Sequence, residues 1–426
     1  MPEYSWDEIQ RHNLRTDRWI VVDDIVYDVT RFAKKHPGGE KIVSNWSGQN
    51  ASEAWYAFHP DKKKVSKYMK TLVVGRVKVD DSRGSGGSGI VRYDDFHKLR
   101  KAAEDAGYFK PSAIFYVLHL AHIIGFELLG WWILYQYGTG WIPYIIAGLC
   151  IGTAQMQAGW NQHDYGHLSV FPNTRWNHWM HIFIINIFKG ASSDWWNHRH
   201  HNHHSKPNII NSDPDIKLDL VFLVGKVLPV EWGERKKGKM PYNWQQVYFS
   251  FLLPPLLLPL YFNWEIPYYL YKKKQYNEMI WTGLFFVRWQ FMFQPIVGFW
   301  GVFTLFLFAR FIESIWFVWA TQMSHLPMQV DYDHHDDWVT SQLKATCNVE
   351  SSAFNDWWSG HLNFQIEHHL FPTMPRHNLH KVAPLVKSLC EKHGLSYQVK
   401  PLLTAFKDIL GSLKDSGELW YDAYSK

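Results

Sequence analysis

Cysteine is scarce in this chain. There are three in 426 residues, Cys150, Cys347 and Cys390, and none forms a CxxC pair. That spacing argues against a disulfide framework and a cysteine-built zinc site, and it fits a reducing, cytosol-facing environment. The opening residues MPEYSWDEIQRHNL hold no apolar stretch. No cleavable signal peptide is therefore expected, and any membrane insertion must come from internal segments. The net charge of +5 is too small to expect a nucleic-acid partner. What the chain has in excess is rings: 24 Trp, 22 Tyr, 27 Phe and 24 His. Trp and Tyr favour the membrane–water interface. The mean hydropathy of −0.28 requires large polar regions beside any spans.

Three regions are expected: a small soluble domain over 1–80, a flexible linker over 81–92, and a membrane region over 93–426. In the first, RWIVVDDIVYDVT (18–30) has two β-branched runs split by Asp23 and Asp24, a hairpin pattern. The linker is rich in glycine and serine. In the third, residues 114–135 and 141–160 are each long enough to cross a bilayer, which takes roughly 20 apolar residues. Later apolar blocks at 247–270 and 279–322 admit two readings. Either each crosses once, or the first lies at the interface and the second is a hairpin near 279–298 and 300–322. The second reading keeps Lys272, Lys273 and Lys274 off the lumenal side. Both readings give four spans.

The histidines cluster beside these spans. His163 and His167 follow the second span at i, i+4; His200, His203 and His204 stand at i, i+3, i+4 in HRHHNHH (198–204). His361, Gln365, His368 and His369 stand at i, i+4, i+7, i+8, one helical stripe. His325, at the end of the last span, is a further candidate. With four spans, the loop after the second and the tail after the fourth share one side of the membrane, so all clusters can meet. A lone His pair is usually a surface accident; three same-face clusters beside spans are not. Imidazole suits iron, copper, nickel or zinc. About eight imidazoles are more than one ion needs, so a neutral, histidine-rich pair of metal ions is expected. Asp164, Asn197 and Asp356 are candidates for orienting the rings. The basic run 234–239 and Arg376 with Lys381 are candidates for a CoA or phosphate head group, although such runs are more often solvated patches.

In the first region, His36 precedes two glycines in HPGG, and His59 lies in FHP. Glycines permit close approach of a flat ligand, and two histidines could supply both axial ligands of a haem. Such a haem has no open position for oxygen, so its task is electron transfer.

On these residues, the first region resembles cytochrome b5, with Asn50 departing from the usual aspartate. The rest resembles the membrane fatty acid desaturases through HDYGH (163–167), HRHHNHH and QIEHH (365–369). The fused b5 domain and the glutamine opening the third box are similar to the front-end, Δ6/Δ5-type acyl-CoA desaturases. The resemblance implies an α-helical membrane protein: four transmembrane helices, a cytosolic helical cap carrying the histidine boxes, and a small α+β haem domain. It implies haem b on His36 and His59, and two irons on His163, His167, His200, His203, His204, Gln365, His368 and His369. It implies O2 as co-substrate, NADH–cytochrome b5 reductase as electron donor and a multi-pass endoplasmic reticulum location, with N-terminus and site cytosolic. The implied reaction is front-end desaturation of polyunsaturated acyl-CoA, Δ6 favoured and Δ5 next. Two other readings compete: a sphingolipid long-chain-base desaturase, and a membrane metal-binding or transport protein with a haem module. Repetitive histidine loops would favour the last, and the spaced clusters do not have that form.

Overall fold

The computed structural model describes residues 1–78 and 93–426. The linker expected over 81–92 lies outside the described residues. The N-terminal region is a five-stranded sheet with short helices. Its strands are β1 (Glu3–Tyr4), β2 (Asn13–Leu14), β3 (Asp17–Val22), β4 (Ile25–Asp28) and β5 (Val73–Val77), in the order β1-β5-β4-β3-β2. The expected hairpin is β3–β4: Val22 pairs with Ile25 and Val21 with Val26 across the two aspartates. Asp23 has φ 53°, the left-handed conformation such a tight turn needs and Asp tolerates. Helices α1 (Glu40–Ser44) and α2 (Ser52–Phe58) follow, and β5 closes the sheet.

The rest is mostly helical. α3 (Ala113–Tyr137) is capped by Ser112, whose Oγ accepts from the Phe115 N–H, and ends at Gly138. Ile114, Val117, Leu118, Leu128 and Trp132 stand exposed along it, as on a lipid-facing helix. α4 (Trp141–Gly166) packs against α3, and α5 (Ser193–Ser205) follows. α6 (Gln245–Leu260) contains Pro254, Pro255 and Pro259 and continues through a π-helical turn to Lys273. α7 (Tyr276–Gln322) is 47 residues long.

Among the described residues, three helical stretches are long and apolar enough to cross a membrane: Ala113–Tyr137, Tyr242–Lys273 and Tyr276–Gln322. Four spans were expected. α4 has the length but not the composition, because Gln155, Gln157, Asn161 and Gln162 are buried in it near the histidines. α7 is too long for one crossing. A straight helix of that length would extend about 70 Å, against about 30 Å of hydrocarbon. It breaks at Gly298 (φ 75°, ψ 168°) and doubles back, so that the Phe285 and Phe306 rings lie 5.9 Å apart. Tyr242–Lys273 is tied at both ends to one side of the molecule. Gln245 bonds the Leu413 carbonyl, and Tyr269 bonds Asp194 at the start of α5.

α8 (Trp338–Ala345), α9 (Gln365–Leu370), the helix Leu379–His393 and α10 (Leu402–Ser425) complete this side. One hydrophobic core joins the two regions: Trp46, Ala54 and Ala57 pack with Trp338, Phe371 and Val386.

Candidate metal centre

Four elements deliver the histidines. His163 lies on the last turn of α4 and His167 caps its end. His200, His203 and His204 lie on α5, and His368 and His369 on α9. His325 sits in the turn after α7. The structure gathers them into two adjoining groups: His163, His167, His200, His204 and His368; and His203, His325 and His369. Within each group the ligand nitrogens lie within 4.8 Å of one another. α5 and α9 each serve both groups, since His203 and His204, like His368 and His369, are consecutive. The ring of His204 stacks on that of His369 at 4.1 Å, joining the groups.

The first group has the geometry of a cation site. His200 Nε2 lies 3.1 Å from His163 Nε2, 2.9 Å from His167 Nε2 and 3.0 Å from His204 Nε2. His204 Nε2 is in turn 3.0 Å from His368 Nε2. Hydrogen bonding cannot satisfy this arrangement, because a ring nitrogen carries one proton at most. With metal–nitrogen bonds of about 2.1 Å, neighbouring ligands at a right angle stand about 3.0 Å apart. The donor set therefore fits a metal ion.

The second group is held from behind. His203 Nδ1 is 2.8 Å from Asp213 Oδ2, His325 Nδ1 is 3.0 Å from the Ala345 carbonyl, and His369 Nδ1 is 2.9 Å from Gln342 Oε1. Such partners fix the proton on Nδ1 and turn the Nε2 lone pair inward. His369 Nε2 is buried and has no hydrogen-bond partner among the described residues. The Gln365 amide lies 2.8 Å from His325 Nε2, at the edge of this group.

Not every expectation survives. His361 was placed on the stripe of α9, but that helix begins only at Gln365 and His361 has φ 65°. It joins neither group. Asp164 lies beside His163, 3.6 Å from its Nδ1. Asn197 and Asp356 do not orient the rings. Asp356 bonds Ser351 and Asn363, and Asn197 Oδ1 has no partner among the described residues. Asp213 and Gln342 take that work. The signal for Asp213 was its position in SDPD just past the second box; nothing in the sequence pointed to Gln342. Arg376, expected at a head-group surface, is buried at 2% exposure.

His36 and His59 face each other with ring centres 6.1 Å apart. Two axial imidazoles on one iron put their ring centres about 6 Å apart. His59 Nδ1 bonds the Trp55 carbonyl at 2.9 Å, which frees Nε2. Burial, with His59 adding to it, pushes the pKa of His36 down to about 4, so its ring is neutral near pH 7. A Cβ on Gly38 would come within 3.0 Å of the His36 ring, which explains the glycine. The pair fits a haem.

This pair is docked against the metal-site helix. The Trp46 indole N–H donates to Ser205 Oγ at 3.1 Å, and Lys206 reaches Gln49 Oε1 at 2.8 Å. Phe58, next to His59, packs on His201, His204 and Trp338.

The profile described as Fatty acid desaturase matches residues 139–401. The chain belongs to that family. Residues 5–78 of this desaturase match the family described as Cytochrome b5-like Heme/Steroid binding domain. A solved cytochrome b5 of Ostreococcus tauri virus 2 is similar at 40% identity over 17% of this chain and 94% of that one, with a TM-score of 0.17. The desaturase is thus an oxidoreductase of the membrane with a fused haem domain. Its family works with a di-iron centre and O2, which the histidine groups fit.

Proposed function

We propose that this desaturase is a front-end enzyme of the endoplasmic reticulum membrane. It acts on polyunsaturated fatty acyl-CoA, Δ6 by preference and Δ5 next. It inserts a cis double bond between the carboxyl end and an existing double bond. NADH–cytochrome b5 reductase supplies electrons to the haem domain. The domain boundaries are 1–80, 81–92 and 93–426. Four spans, α3, α4 and the two halves of α7, carry a cytosolic cap, and Tyr242–Lys273 lies along the interface. The fold-back of α7 and the common anchoring of both ends of Tyr242–Lys273 support that count.

The observation that carries the reading is the docking of the His36–His59 pair beside the two histidine groups. His163, His167, His200, His204 and His368 hold one iron. His203, His325 and His369 hold the other, with Gln365 beside them. The irons with O2 supply the power to remove hydrogen from an unactivated C–H bond, which no side chain can ionise. The chain's own residues do the rest. Asp213, Gln342 and the Ala345 carbonyl fix the rings, and the contact of Phe58 with His204 brings the haem domain close. Neutral imidazoles add no formal charge to the metals.

Expression in a yeast without polyunsaturates, fed 18- and 20-carbon acids, tests the reaction. New double bonds on the carboxyl side of existing ones are expected. Products confined to long-chain bases would replace this reading with the sphingolipid one. His203→Ala should lose iron and product. His36→Ala should lose the bis-histidine haem spectrum and most turnover.

A further inference from the structure

A cavity of ~330 Å³ is lined by Phe115, His119, Gln157, Asp356, Trp357 and Arg376, and Asp164 stands between this Arg376 and His163 of the first histidine group. Its volume is at the low end for ligand sites. Two of its polar side chains, Arg376 and Gln157, keep atoms that no partner among the described residues satisfies. Arg376 is 2% exposed. Its nearest carboxylate is Asp164, with Oδ2 3.7 Å from Nε, beyond hydrogen-bond reach. Both Nε and Nη1 are buried without a partner among the described residues. Gln157 is fully buried; its Nε2 donates to the Trp357 carbonyl, and its Oε1 has no partner. A buried guanidinium with idle N–H groups is costly. The cavity is where an acceptor for those N–H groups can enter.

We propose that Arg376 holds the acyl carbonyl oxygen of the substrate in this cavity and so sets where the chain begins relative to the metals. The inference rests on the reading of the chain as a front-end acyl desaturase and deepens it. Asp164 already offsets part of the arginine charge, the Phe115 ring covers the guanidinium at 5.4 Å, and among the described residues no lysine or second arginine lines the cavity. With the Asp356 carboxylate also in the wall, held by Ser351 and Asn363, that lining suits one neutral carbonyl better than a cluster of phosphates. Gln157 precedes His163 by six residues on α4, about 9 Å along the axis. Arg376 is also one carboxylate away from His163, through Asp164, so a chain anchored there would pass the metal ligands within its first several carbons. Front-end chemistry, counted from the carboxyl end, needs that placement.

The test is equilibrium binding to the full-length, iron- and haem-loaded protein without reductant. The probes are an 18-carbon acyl-CoA and its thioether analogue, in which a methylene replaces the carbonyl. The wild type should prefer the thioester by roughly ten- to hundred-fold, the worth of a charged hydrogen bond. Arg376→Met should erase that preference at unchanged iron and haem content. Arg376→Lys keeps the charge opposite Asp164; it should cut the preference severalfold and decides the matter if the Met variant does not fold. A wild type indifferent to the carbonyl, or a preference that persists in the variants, overturns the proposal. Arg376-dependent binding of the free acid or of a phosphatidylcholine vesicle, with acyl-CoA ignored, keeps the carbonyl site and overturns the acyl-CoA reading instead.

Discussion

Asp213 Oδ2 reaches two donors at 2.8 Å, His203 Nδ1 and the backbone N–H of Asn208. The second bond pins the carboxylate, and the first pins the imidazole. Asp213→Asn should therefore lower iron affinity about 10- to 100-fold, the usual cost of losing a partner behind a metal ligand. Iron retained after dialysis against a chelator measures it. Asp215, 3.8 Å from His203 Nδ1, should matter much less when replaced by Asn. At the same scale, Glu53 is a titrating group where the haem domain meets α8. Burial, helped by Asp337 and Asp23, raises its pKa from 4.5 to about 7. A raised carboxyl contributes stability fully below pH 4.5 and loses it as pH rises through about 7. Hydrogen exchange in Ser52–Phe58 should accelerate over that window, and Glu53→Gln should flatten the dependence.

At the scale of elements, α5 does two jobs. One set of its rings builds the metal groups, while Ser205 and the adjoining Lys206 receive the haem domain. Trp46→Ala removes an indole bonded to Ser205 and its cation contact with Lys206 at 4.2 Å. The haem spectrum should stay intact while proteolysis between the two regions speeds up and electron supply to the site falls severalfold, measured by ferrous-haem reoxidation with substrate present. α7 depends on Gly298. Its φ of 75° is strained for any residue with a Cβ, so Gly298→Ala should cost about 1–2 kcal/mol. A lower thermal midpoint in detergent would report it. The sequence carried much of this level. The β3–β4 hairpin and the i, i+3, i+4 spacing on α5 were readable because local geometry alone fixes them. The break at Gly298 was one of two open readings, since apolar content does not distinguish a long helix from a folded one.

For the whole molecule, residue types and spacing determined the chemistry: imidazoles without thiolates, a haem pair in HPGG and FHP, and apolar runs long enough for a bilayer. Those follow from side-chain chemistry and helix periodicity, which act over a few residues. Tertiary structure decided the rest. It divided the clusters on α5 and α9 between two groups, because consecutive residues on a helix point about 100° apart and face different neighbours. It removed His361 through a backbone turn, brought in Asp213 and Gln342 from elements with no motif of their own, and buried Arg376 in the wall of a cavity. Which side chains stand behind a ligand depends on packing between segments far apart in the chain, and no local pattern encodes that distance.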